Sequence, residues 1–438
     1  MKRSFCTISV ILVFLLPRSY ASWRTANPTA TPAATSQSAS TADATASPVL
    51  EASPTVELPW AGVIQRRPLP TDYRVGELSV LPVFNPTVED AFQVDLRGAD
   101  LSTLDLRNSQ PELRYSIFDS RTVWPPPDRM PACFDPVQIM ELGKNPGLCV
   151  REIHQMGITG RNAGIAIIDM TLLADHHEYT DRLRFYEEIN YSGFESASMH
   201  GPAVASLAVG RTTGVAPDAD LYFIAVNGLV QSSTESTPKT DFRYLAQAVR
   251  RILEVNKRLP RDRRIRVISM SIGWGPEDLG AEELNAATDE AKAEAVLIVS
   301  GSRNMTRMYG IKMFGLGRPV LADPDSFSSY GLALFWVDIS PDDTLLQGSL
   351  CIPMDSRTTA SFTGVDDYVY FSIGGGSWTM PYLAGSYALA VQVKPDFTPE
   401  EFLSSAVETG REITYPRGGR EILLHPVIDP VALINALR

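Results

Sequence analysis

Residues 164–169 read Gly164-Ile165-Ala166-Ile167-Ile168-Asp169, an apolar run closed by a carboxylate. A continuous apolar run of this length is the pattern of a strand buried on both faces. A charged residue at its end is costly without a partner, because desolvation penalises the carboxylate. Two later segments supply partners. Met199-His200-Gly201-Pro202-Ala203-Val204-Ala205 sets a histidine at the head of a small-residue helix, and Gly375-Gly376-Ser377-Trp378-Thr379-Met380-Pro381 sets a serine after glycines. A hydroxyl becomes a nucleophile when a base takes its proton, and the base needs a carboxylate to fix its tautomer and stabilise its charge. The order Asp, His, Ser discriminates between scaffolds. A G-x-S-x-G nucleophile elbow belongs to chains that run Ser, Asp, His, and here Thr379 occupies the place of its second glycine.

Outward from this strand, elements alternate. Residues 220–226, 265–272 and 295–300 read as apolar strands, and 201–209, 240–257 and 281–294 as helices. The 240–257 helix carries Phe242, Leu245, Ala246, Val249, Ile252 and Leu253 on one face. Thr398-Pro399-Glu400-Glu401 opens another helix with a capping box and a proline at its first position. Such alternation implies an α/β fold, a parallel sheet with helices on both faces. Sites in such sheets gather at the carboxyl ends of strands, where Asp169 stands.

Over residues 151–438 the chain resembles the subtilisin-like serine peptidases, the subtilases. His200-Gly201 with Val204-Ala205 is close to that family's H-G-T-x-V-A, and Gly214-Val215-Ala216-Pro217 matches its G-V-A-P. Ser377 in G-S-x-x-x-P, followed by Ala384-Gly385, is similar to G-T-S-M-x-x-P-x-x-A-G. Val267-Ile268-Ser269-Met270-Ser271-Ile272-Gly273 resembles the substrate-binding strand V-I-N-M-S-L-G. The resemblance implies a subtilisin-like fold and a serine endopeptidase with Asp169, His200 and Ser377 as its triad. It implies Ser271, Ile272 and Gly273 as the backbone that pairs with a peptide or protein substrate. Val299-Ser300-Gly301-Ser302-Arg303-Asn304 aligns with V-A-A-A-G-N, making Asn304 the side-chain oxyanion donor beside the Ser377 N–H. Arg303 replaces a glycine there; it either favours an acidic side chain before the scissile bond or points to solvent. Pro202, Ala203, Trp378 and Met380 also depart from the family pattern, and none removes a proton-transfer group. His154 and His425 lie outside the motif, and His176 and His177 are given no catalytic role. Catalysis requires no cofactor; structural calcium stays open, with no ligands assigned.

Each residue alone has a blander reading. A serine after glycines is otherwise a helix cap, and a lone histidine is more often packed than reactive. The altered surroundings of Ser377 keep a second class open, a catalytically weak binding or scaffold protein with this fold. An esterase using the same groups is a third.

The ends of the sequence concern location. Lys2 and Arg3, the apolar stretch 8–16 and Ser19-Tyr20-Ala21 form the pattern of a signal peptide over residues 1–21. The stretch is too short to span a bilayer, so the expectation is a secreted or cell-envelope protein with no membrane insertion of the mature chain. Residues 22–59, rich in Ala, Thr, Ser and Pro, read as a disordered linker. The formal charge of −12 argues against nucleic acid as a partner.

Residues 60–150 read as a small β-rich accessory region. Leu96, Leu101 and Leu106 recur at a period of five, resembling pentapeptide repeats. The region is read either as a cap packed on the peptidase part or as a docking module. Outside the signal peptide, Cys133 and Cys149 bracket a short loop that a disulfide would stabilise by about 3 kcal/mol, leaving Cys351 unpaired. That pairing stays open.

Overall fold

The computed structural model describes residues 63–85, 93–191, 193, 195–230, 239–336 and 346–438. The expected signal peptide and the 22–59 linker lie outside the described residues. Five parallel strands form the central sheet: β1 (Gly164–Asp169), β2 (Leu183–Ile189), β3 (Asp220–Val226), β4 (Ile265–Met270) and β5 (Leu297–Val299). Their spatial order is β5-β4-β1-β3-β2. β1 therefore stands where the strand order reverses, which opens a crevice beyond its carboxyl end. Asp169 occupies that end, and Ser271 follows the end of the adjacent β4.

Helices cover both faces. α1 (His200–Val209) packs on β1 and β3. α2 (Arg243–Arg258) and α3 (Ala281–Ala293) pack on each other and on the opposite face. The apolar stripe expected over 240–257 is buried at Phe242, Leu245, Ala246, Val249, Ile252 and Leu253. α4 (Ser302–Tyr309) follows β5, and α5 (Thr379–Val393) runs beneath the sheet against α1. The small residues permit that contact: a Cβ on Gly385 would lie 3.3 Å from Ala208 O of α1 and 2.6 Å from the Val215 side chain after it. The helix at Pro399–Glu408 starts with the expected capping box between Thr398 and Glu401.

Strand ends are shorter than their apolar runs suggest. The 265–272 strand stops at Met270, because the Ile272 N–H turns back to the Met270 carbonyl at 2.8 Å. The 295–300 strand contracts to β5, with Ala295 in a left-handed conformation before it.

A second sheet contains β6 (Lys312–Gly317) and β7 (Gln347–Pro353), paired in parallel, and ends in a C-terminal hairpin, Arg411–Arg417 with Arg420–Val427. A third sheet joins distant parts of the chain. β8 (Arg357–Ala360) and β9 (Tyr368–Phe371) form an antiparallel pair, and the strand Ser116–Asp119 from the N-terminal region pairs with β9. The three leucines of the five-residue period are buried together with Phe118, Phe134 and Tyr370. The Phe118 and Tyr370 ring centroids are 5.1 Å apart. Upstream, the Gln65 N–H donates to Tyr186 O, and the Ala197 N–H donates to Leu69 O, so residues 63–71 run from β2 to the loop before His200. Among the described residues Cys133, Cys149 and Cys351 are all free thiols; Cys149 Sγ lies 3.4 Å from Asp325 O and does not meet Cys133. No helix among the described residues is long and apolar enough to cross a membrane.

Because Phe118 joins the N-terminal leucine cluster to β9, Phe118→Ala should lower the unfolding free energy by about 3–5 kcal/mol. Chemical denaturation followed by fluorescence measures it, and a loss below about 1 kcal/mol would show the two parts to be weakly coupled.

Candidate active site

The meeting of Asp169 with His200 begins at a glycine. A Cβ on Gly201 would sit 2.6 Å from the carbonyl oxygens of both Met170 and Thr171. Without that atom, the first turn of α1 presses on the backbone just past β1. His200 Nδ1 then lies 2.7 Å from Asp169 Oδ1, which also accepts the Met170 N–H at 2.8 Å. The His200 side chain is 14% exposed, leaving one edge open to the crevice. Burial alone would lower its pKa, but the Asp169 charge and hydrogen bond outweigh it, and the imidazole stands above its ordinary value of 6.5. Asp169 thus holds the ring in one orientation and favours its protonated form.

Ser377 lies in a single tight turn, Gly376–Trp378, immediately before α5. That turn packs on α1: the Trp378 ring covers His200, with centroids 5.5 Å apart and planes inclined by 32°. Phe371 meets the Trp378 ring edge-on at 5.3 Å. Ser377 is tied reciprocally to the residue after β4. Ser271 Oγ donates to Ser377 O at 3.0 Å, and Ser377 Oγ donates to Ser271 O at 3.5 Å. No hydrogen bond joins Ser377 Oγ to the His200 ring among the described residues. The long bond to Ser271 leaves the hydroxyl weakly held.

Of the expected substrate-pairing residues, Ser271, Ile272 and Gly273 are all half-buried beside this turn. The Ile272 carbonyl already accepts from Ser300 Oγ and the Gly301 N–H, at 3.0 and 3.1 Å. Asn304, in the first turn of α4, is buried and grips the Trp274 backbone from both sides. Its Oδ1 accepts the Trp274 N–H and its Nδ2 donates to Trp274 O, each at 3.1 Å. An amide nitrogen carries two hydrogens, so one remains beyond this clamp. Arg303 is half-exposed and faces Glu277 at 3.7 Å, an ion pair of the weak surface kind. Sequence reading did not find Trp274, whose backbone fixes Asn304; its position directly after the Ser271-Ile272-Gly273 segment is the one signal. Among the described residues no three His, Cys, Asp or Glu side chains converge to hold a metal ion.

Residues 160–311 match the model of the Subtilase family, a span holding Asp169, His200 and Asn304. The chain carries a subtilase domain. The parallel sheet and flanking helices are the subtilisin-like fold. Two curated proteases are similar to it. The minor extracellular protease Epr of Bacillus subtilis (strain 168) is 26% identical over 245 residues, 55% of this chain and 31% of that protein. The thermostable alkaline protease of Halalkalibacterium halodurans is 24% identical over 282 residues, 61% of this chain and 67% of that protein. The match therefore spans about a third of Epr's length. Among solved structures, the serine protease MycP1, an essential component of the type VII (ESX-1) secretion system, superposes with a TM-score of 0.44 and 18% identity, over 66% of this chain and 86% of that chain.

The raised His200 pKa has a definite sign. The Asp169–His200 pair contributes stability that is complete below the ordinary histidine value of 6.5 and fades as pH rises through the raised one. Nuclear magnetic resonance titration should place His200 above 6.5 in the wild type and lower in Asp169→Asn. The stability deficit of that variant should be largest in acid and shrink on the alkaline side.

Proposed function

We propose that this subtilase is an exported serine endopeptidase that cleaves protein substrates through an acyl-enzyme intermediate. The Asp169–His200 pair carries the reading, with the Ser377 turn stacked against the histidine ring by Trp378. Rotation of Ser377 Oγ away from Ser271 O brings the hydroxyl to His200 Nε2. Oγ then attacks the scissile carbonyl carbon as its proton passes to Nε2. The negative charge on the former carbonyl oxygen is met by the Ser377 N–H and by the second Nδ2 hydrogen of Asn304. His200 returns the proton to the leaving amine, and water repeats the sequence on the acyl-enzyme. Asp169 holds the ring through Nδ1 and stabilises the imidazolium as it forms. The substrate backbone lies extended along Ser271, Ile272 and Gly273 as an added strand. Export rests on the signal-peptide pattern of residues 1–21 and agrees with the extracellular location in Epr's name.

One observation favours a second reading. Ser377 is 8% exposed and its hydroxyl faces Ser271 rather than His200, as in a catalytically weak scaffold. Labelling by an active-site-directed phosphonate separates the two. Wild type should react and Ser377→Ala should not, and casein hydrolysis should fall by about a thousandfold or more in the variant. Absence of labelling in both would favour the scaffold. Asn304→Ala should lower kcat by roughly 10²–10³ with little change in KM if its free amide hydrogen meets the oxyanion. A change confined to KM would instead assign Asn304 to holding the Trp274 loop.

A further inference from the structure

Beneath the Ser377 turn lies a carboxyl group that the mechanism above does not use. Asp355 follows β7 and is 4% exposed. Its backbone is fixed: the Met354 and Asp355 N–H groups both donate to Leu316 O, at 3.0 and 3.2 Å. Ser356 beyond it adopts a left-handed φ of 56°, rare for a residue with a side chain. That conformation is held by Ser356 Oγ donating to Arg318 O at 2.6 Å and by Arg318 Nη2 donating to Ser356 O at 2.8 Å. From this anchored turn the side chain reaches towards the glycines before Ser377. Asp355 Oδ1 accepts the Gly374 N–H at 2.7 Å, and Oδ2 accepts the Leu334 N–H at 3.4 Å.

Gly374 has no freedom to sit elsewhere. A Cβ there would lie 2.1 Å from Met354 O and 2.8 Å from Cδ1 of Trp378, the ring that covers His200. The Gly374 backbone is thus wedged between the Asp355 turn and the tryptophan that follows the nucleophile. A short bond from a backbone N–H to a buried carboxylate is stronger than one to a neutral acceptor.

We propose that Asp355 is a positioning residue of this peptidase, its ionised carboxylate fixing Gly374 and thereby the turn that presents Ser377 to His200. The inference rests on the reading of Ser377 as nucleophile. Protonation of Asp355 removes the charge and converts one oxygen to a donor that cannot accept the Leu334 N–H, so the turn loosens. Burial pushes the Asp355 carboxyl up to about 7, against the pull of its two backbone N–H bonds and of Arg318. The other titratable group that feels its charge is the Tyr370 phenol from β9. Arg318 does not pair with it directly, since its guanidinium is spent on backbone carbonyls of Pro319, Ala322 and Ser356. Two groups must then each lose a proton for activity, His200 and Asp355.

The test is the pH dependence of phosphonate labelling and of kcat/KM, measured on wild type and on Asp355→Asn. Asparagine keeps an acceptor for Gly374 and cannot ionise. In the wild type, the logarithm of either rate should rise with a slope approaching two on the acid side. In Asp355→Asn the slope should fall to one, with kcat at pH 8 lower by about tenfold or more and KM little changed. The same variant should melt higher than wild type at pH 8, because it no longer buries a charge, a result that a merely structural carboxylate would not give. The wild-type slope stands without any variant. A slope of one in wild type, a slope of two in Asp355→Asn, or wild-type kcat in that variant would each overturn the proposal. Wild type that hydrolyses and labels normally while failing these criteria leaves the role of Ser377 intact; no labelling of wild type at any pH removes both.

Discussion

The site depends on how closely a helix can approach the end of a strand. α1 starts against the carbonyls of Met170 and Thr171, at a separation that admits no side chain on Gly201. The approach brings an imidazole to a carboxylate that would otherwise end a buried strand without a partner. The same economy recurs where α5 passes α1, with Gly385 against Ala208 O and against Val215 just beyond that helix. Small residues here are not loosely packed filler. They set interaxial distances, and those distances place His200 between Asp169 and the Ser377 turn.

Around that constraint the polar groups divide between holding and waiting. Asp169 Oδ1 and Asn304 are engaged with close partners, and each immobilises something beside itself: the histidine ring, the Trp274 backbone. Ser377 Oγ has only a long bond to a carbonyl. A hydroxyl that is weakly held, set among groups that are not, fits an arrangement that rotates one side chain and little else. Trp378 closes the face of His200 away from Asp169's hydrogen bond, restricting the ring's motion and shielding it from water.

The sequence made much of this legible where the information is local. The apolar runs at 164–169 and 220–226 are strands over those same residues, and the stripe from Phe242 to Leu253 is the buried face of a helix. Strand ends were less legible, since Ile272 leaves the sheet through a backbone bond that no side chain announces. Contacts between distant segments were not legible at all. Nothing near Ser116–Asp119 specifies pairing with residues some 250 positions later, and a lone aspartate after an apolar run gives no hint that it will hold Gly374. The amide of Asn304 shows a related limit. Its residue type suits an oxyanion donor, whereas its engagement with Trp274 depends on where a loop passes.

The pairing of Ser116–Asp119 with β9 has a bearing on solubility. β9 carries Tyr368, Val369, Tyr370 and Phe371, an aromatic, strand-favouring run with one flank on β8 and the other on the N-terminal strand. An uncovered strand of that composition is a template for another chain to add to, and natural proteins blunt such edges. The N-terminal region acts here as a built-in cover, occupying hydrogen-bonding groups that a second molecule would otherwise find. Until both parts have emerged and met, the newly made chain carries an exposed sticky edge close to the Ser377 turn.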